Sequence, residues 1–135
     1  MTPFAAISTL AGLTLQEAGD LCGVRHDSAR QWATGRRAAP PGAIDRLRDL
    51  IATQERVAAQ TLAQIAALAQ QHGAPAEIEI GYPADDYEAQ SLGFPCVGAW
   101  GAMAARVIAA APVNVVLTPR GSTAATAAAA DAHGR

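Results

Sequence analysis

The chain contains no lysine; all ten of its basic residues are arginine. With alanine so abundant, that absence reads as a coding bias of a GC-rich genome rather than as a function. Aromatic residues make up only 4% of the 135 residues, although half the chain is hydrophobic. The core must therefore be aliphatic and closely spaced, which favours helix packed on helix. Long apolar runs are missing too. The most apolar stretch, residues 96–113, is short, alanine-rich and carries Arg106, so it does not read as a bilayer span. The opening MTPFAAISTLAGL has no basic segment ahead of an apolar one, so no signal peptide is expected. Two cysteines without secretion signals point to reduced thiols, no Cys22–Cys96 disulfide and a cytoplasmic, nucleoid-associated address. A formal net charge of −2 excludes a uniformly basic protein that coats nucleic acid, but leaves room for a local basic face.

What is present falls into three parts: residues 1–50, 51–119 and 120–135. In the first part, Thr2 is placed to cap a helix with Pro3 at its first position. Phe4, Ile7, Leu10 and Ala11 recur at helical spacing up to Gly12. Thr14 and Glu17 form a capping-box pattern for a second helix, whose inner face is Leu15, Ala18, Gly19 and Cys22. Gly23 stops it and Val24 plugs the turn. A third helix is expected from about His26 to Ala33, with Ala29 and Trp32 inward, and Thr34-Gly35 ends it. After Pro40-Pro41-Gly42 the stripe Ile44, Leu47, Ile51, Ala58, Leu62, Ile65 and Ala69 predicts one helix over about 43–72. At roughly 45 Å it outruns a three-helix head, so its distal half needs the strand-containing segment over about 76–119 or a second chain to cover it. Glu77-Ile78-Glu79-Ile80 alternates as a half-buried strand does, and Pro83 stops it. Asp85 and Asp86 can open a short helix; residues 97–110 form a helix rich in small residues, and 113–117 a second strand. The roughly thirty residues between the strands are enough for a helical crossover. The fold class expected is mainly α: an N-terminal helix-turn-helix, a long connecting helix, and a small C-terminal α/β dimerisation segment with two short strands. Residues 120–135 read as a low-complexity tail.

Two helices that cross closely need a small residue at the contact, which Gly19 supplies, and a turn that tolerates unusual backbone angles, which Gly23 supplies. Residues 25–37 hold four arginines against one aspartate, a net +3, while residues 61–135 hold three arginines against six acids, a net −3. The charge is polarised toward the turn and the helix after it. The segment TLQEAGDLCGVRHDSARQWATGRR, residues 14–37, resembles the helix-turn-helix of the lambda-repressor-like (XRE) family, and the likeness extends over residues 2–50. The resemblance implies that the third helix enters the major groove of double-stranded DNA. It nominates His26, Asp27, Arg30 and Gln31 as base readers, with Arg30 suited to guanine and Gln31 to adenine. Asp27 either accepts from cytosine or orients an arginine. Arg25, Ser28, Arg36 and Arg37 would sit on phosphates. The chain departs from the family at Arg25, where a serine or threonine cap is usual, and at Leu15 and Ala33, where polar residues are common.

The whole layout, including the Val97-Gly98-Ala99-Trp100 stretch, is similar to the anti-CRISPR-associated autorepressors. That likeness implies a homodimer joined through its C-terminal segment and bound to an inverted repeat. The expected function is thus a sequence-specific DNA-binding transcriptional regulator, a homodimeric repressor, with no cofactor and no metal. An antitoxin-like module whose distal stripe (Leu62, Ile65, Leu68) covers a protein partner is the alternative, as is an RNA-binding autoregulator using the same arginines. Catalysis is not expected. Ser122, Asp131 and His133 have the residue types of a hydrolase triad but lie in a tail with no means of preorganising them. There is no Walker loop, zinc-spaced ligand set or nucleophile elbow. Asp85, Asp86 and Glu88 fit a helix N-terminus better than a cation site, His72 fits a helix C-terminus, and Cys22 and Cys96 fit packing roles.

Overall fold

The computed structural model describes residues 1–120; the tail beyond Arg120, with Ser122, Asp131 and His133, lies outside the described residues. The elements in chain order are α1 (Pro3–Leu10), α2 (Leu15–Cys22), α3 (His26–Thr34), α4 (Pro41–His72), β1 (Glu77–Tyr82), α5 (Asp86–Ser91), α6 (Val97–Ala110) and β2 (Asn114–Pro119). The chain is mainly helical, with a small sheet at its C-terminal end, as expected.

Local signals set most boundaries. Thr2 caps α1, its side chain accepting from the Ala5 amide. The Thr14–Glu17 capping box closes in both directions at the start of α2. Gly23 ends α2 at φ 72°, and Gly35 ends α3 at φ 85°, backbone conformations that other residues adopt only at a cost. The long helix starts two residues earlier than the sequence suggests, because Pro41 is itself admitted in the first turn, where its missing N–H is not needed. Asp85 caps α5 through the Glu88 amide at 2.8 Å. Asp86 does a second job, accepting from the Val97 amide at 2.9 Å and so capping α6 from outside that helix.

One apolar cluster runs from the head into the C-terminal segment, through Phe4, Ala18, Ala29, Leu47, Leu50, Ala58, Ile65, Trp100 and Val107. Leu47, on α4, is fully buried beneath the head. Ile65, on the distal half of α4, is buried too, so the chain's own C-terminal segment covers most of the stripe. Leu62 is half-buried against the same cluster, and Leu68 stays exposed at 53%.

Two residues depart from the helical pattern read in α1. Leu10 points outward at 57% exposure, and Ser8 takes the buried place. Helix α1 is only eight residues long, and its last apolar residue falls on the outer face, while Ala11 beyond it turns in. The strands form a two-stranded parallel sheet, with Glu77 opposite Asn114 and Ile80 opposite Leu117. Helices α5 and α6 make the crossover. The register places Ile78, Ile80, Val115 and Leu117 on one face; Ile78 and Ile80 pack against the core, while Leu117 is left 39% exposed.

Candidate nucleic-acid interface

The α2–α3 pair is built around a single close approach. A Cβ added at Gly19 would lie 3.3 Å from both the Ala29 Cβ and the Val24 carbonyl oxygen. Ala29 is fully buried there, so any larger residue at either position pushes the helices apart. The turn between them is tied by the Val24 amide donating to the Gly19 carbonyl at 2.9 Å. Helix α3 is pinned to the head from its other end. Trp32 meets Phe4 edge to face, with ring centroids 5.3 Å apart, and the Thr2 hydroxyl donates to the Ala33 carbonyl at 2.9 Å. Thr2 thereby caps α1 and fixes α3 at once.

With Ala29 and Trp32 turned inward, helical geometry aims His26, Asp27, Arg30 and Gln31 outward along one arc. His26, Asp27 and Arg30 are exposed, and Gln31 is half-buried. Arg30 and Asp27 approach to only 4.0 Å, with both side chains mostly in solvent, so the pair is loose and leaves the guanidinium available to another partner. Thr34 completes the arc. The sequence reading omitted it because it ended the helix one residue early; its i+3 and i+4 spacing from Gln31 and Arg30 was the available signal. Its hydroxyl donates to the Gln31 carbonyl at 3.3 Å.

The four residues nominated for phosphates do not all sit alike. Arg25 stands at the N-terminal end of α3, exposed, as an N-cap whose side chain makes no capping hydrogen bond. Ser28 is half-buried on the flank of α3 rather than on the outward arc. Arg36 and Arg37 are exposed just past Gly35, and the Arg37 amide donates back to the Gln31 carbonyl at 3.3 Å, which holds this turn against the helix. Cations therefore flank the outward arc at both ends. Among the described residues, none of Arg25, Arg36 and Arg37 has an ion-pair partner.

Elsewhere the reactive groups are quiet. Burial pushes the Cys22 thiol up, with Arg46 pulling part of the way back, and Cys22 Sγ donates weakly to the Ala43 carbonyl at 3.7 Å. Burial likewise pushes the Cys96 thiol up, against a hydrogen bond from the Ala99 backbone. Both cysteines are free thiols. Among the described residues, no group of three or more His, Cys, Asp or Glu is placed to hold a metal ion, and no helix is long and apolar enough to cross a membrane.

One residue that the sequence reading passed over organises the centre of the molecule. Gln54 lies on α4 in the gap between Ile51 and Ala58, where the apolar stripe skips a turn. It is fully buried. Its Nε2 donates to the Ala11 carbonyl at 2.9 Å and the Ala99 carbonyl at 3.0 Å, while its Oε1 accepts from Arg106 Nη1 at 3.3 Å. No family model matches the chain, and no curated protein is significantly similar to it, so a reading of the α3 surface rests on its geometry and charge.

Proposed function

We propose that the chain is a homodimeric, sequence-specific regulator of transcription that binds an inverted repeat in double-stranded DNA and represses by occlusion. The observation that carries this is the α3 surface: an outward arc of hydrogen-bonding side chains, flanked at both ends by exposed arginines without ion-pair partners among the described residues. Such cations do nothing for packing, and a polyanion supplies the missing charge. On this reading Arg30 and Gln31 read bases, His26 and Asp27 sit beside them, and Arg25, Arg36 and Arg37 hold phosphates. Ser28, set back on the flank, reaches at most the backbone of one strand.

The dimer is supported by the unfinished sheet. Two strands alone are marginal in water. Strand β1 carries Glu77 and Glu79; a two-fold axis at Ile78 would set each against the other glutamate of the second copy, and they would repel. Strand β2, Asn114–Pro119, carries no charge and exposes Leu117. Self-pairing along β2 gives a four-stranded sheet with a continuous apolar face. Two heads joined this way make the second DNA contact effectively intramolecular, and two α3 helices can enter successive major grooves about 34 Å apart. The antitoxin-like alternative has less to stand on, because Ile65 is already covered by the chain itself.

The test is selection of bound duplexes from a random library by the full chain at moderate salt. An inverted repeat with half-sites about one turn apart is the expected outcome. Arg30→Ala should flatten the preference at one base pair of each half-site, whereas Arg36→Ala should weaken binding to every sequence alike. No enrichment by folded protein would overturn the DNA reading. Equal loss of specific and non-specific binding in both variants would overturn the assignment of roles.

A further inference from the structure

We propose that Gln54 is a positioning residue that sets the spacing between half-sites, by locking the head at one fixed angle to the C-terminal segment; this rests on the DNA-binding dimer proposed above. Three stretches of chain meet at its amide. Ala11 follows α1 in the head, Ala99 lies in the first turn of α6, and Gln54 itself is near the middle of α4. Both N–H groups of the amide are used, one on each carbonyl, and its oxygen takes Arg106, which also donates to the Ala102 carbonyl at 2.9 Å. Only this orientation works, since a flipped amide would set its oxygen against two carbonyl oxygens. Beside the clamp the backbones touch. A Cβ at Gly12 would run into the Gly98 carbonyl, and one at Gly98 into the Gly12 carbonyl.

A buried amide is a poor way to gain stability at a site where an apolar side chain would fit. Its effect is directional. Apolar contacts between head and α6 tolerate a slide or a small rotation, whereas two hydrogen bonds to carbonyls on opposite elements do not. In a dimer closed through the C-terminal segments, any rotation of the head about this junction moves the tip of α3, and the two tips move in opposite senses. The clamp thus converts a buried side chain into a fixed distance between two DNA-reading surfaces.

Gln54→Met keeps volume and removes both donors and the acceptor. The experiment compares wild type, Gln54→Met and Ile65→Val (a core truncation away from the junction) on duplexes in which the spacer of the selected operator is lengthened or shortened by one or two base pairs. Wild type and Ile65→Val should lose roughly tenfold or more per base pair of misfit, the scale of one mismatched contact. Gln54→Met should lose no more than about threefold while keeping the same half-site sequence. An unchanged spacing preference in a folded Gln54→Met protein overturns the proposal. If that variant does not fold, Gly98→Ala serves: it leaves the amide in place and wedges α6 from the head, so the preferred spacing should shift rather than flatten, and an unshifted preference overturns the proposal. A second readout needs no DNA. Spin labels at Asp20→Cys and Ala109→Cys, in protein diluted with unlabelled chains, should give a narrow distance distribution in wild type and a broad one in Gln54→Met. Equal widths overturn the clamp even if no operator is found, and a broadened distance without any selected DNA leaves the clamp standing while the DNA reading fails.

Discussion

The head and the C-terminal segment are incomplete in opposite ways. The head is well packed: Phe4, Ala18, Ala29 and Leu47 are all but sealed from solvent, and Trp32 closes on Phe4. Apart from Leu10 on the outer side of α1, what it leaves open is charge, in Arg25, Arg36 and Arg37. The C-terminal segment is the reverse. Its Arg120 is paired with Glu88 at 2.8 Å, but Ile108, Leu117 and Tyr82 are left 44%, 39% and 36% exposed, and among the described residues its sheet has two strands. A surface short of anions and a surface short of apolar contact call for different partners. On the function proposed above, that separation would let one end of the molecule associate with itself while the other addresses a polyelectrolyte.

The largest effect tests whether the two regions are separable at all. Leu47→Ala in the head and Ile65→Ala in the body should each remove about 2–5 kcal/mol, and each should shift one common urea transition, since a single apolar cluster runs through both. Two resolved transitions would divide the molecule into independent halves. Next in size is Leu117→Asp. It places a carboxylate at the β2 surface and should convert dimer to monomer in sedimentation, with an unaltered far-ultraviolet circular dichroism spectrum. A dimer that survives would move the self-association elsewhere. Arg36→Ala and Arg37→Ala should leave thermal stability within about 0.5 kcal/mol and lower the slope of log affinity against log salt by roughly one each. A slope that does not change would take these arginines off the phosphates.

Two smaller effects concern the core itself. Ser8 Oγ is buried with no hydrogen-bond partner among the described residues, so Ser8→Ala should stabilise by about 1 kcal/mol. Loss of stability would show that the hydroxyl has a role in holding α1. The two thiols have raised folded-state values, so folding favours their neutral form. Their contribution is fully present below the ordinary thiol range and is lost as pH climbs through the raised folded values. Iodoacetamide at pH 7.5 should therefore modify the native protein far more slowly than the urea-unfolded chain. Equal rates would contradict the burial that holds these thiols protonated.

How legible the molecule was depended on how local each cause is. The capping box at Thr14, the stops at Gly23 and Gly35, and the alternation of Glu77–Ile80 all act within one turn or one strand, and they were readable as such. The length between the strands left room for a helical crossover, but the parallel pairing of β1 with β2 inside one chain is visible only in the structure. Gln54 was not readable, because its partners are the main-chain carbonyls of Ala11 and Ala99, and a carbonyl has no signature in a sequence. The interruption of the stripe between Ile51 and Ala58 was the one visible trace. Leu10 misled because its spacing fits the helix while the helix ends before the head can cover it. At the α3 surface the sequence nominated the outward residues with little error apart from Thr34. It gave no sign that Ser28 would be set back, since half-burial depends on how α3 lies against the rest of the head.

The parallel pairing of Glu77 with Asn114 has a consequence for how the chain is made. A strand and its partner this far apart cannot meet until the ribosome has released everything between them. The head and most of α4 can form while synthesis continues, but β1 emerges alone and waits through α5 and α6 for β2. During that interval the apolar side of β1 and the distal half of α4 are open to whatever is nearby, including neighbouring nascent chains on the same message. In the dimer proposed above, subunits made side by side would meet first at the surfaces that finish last.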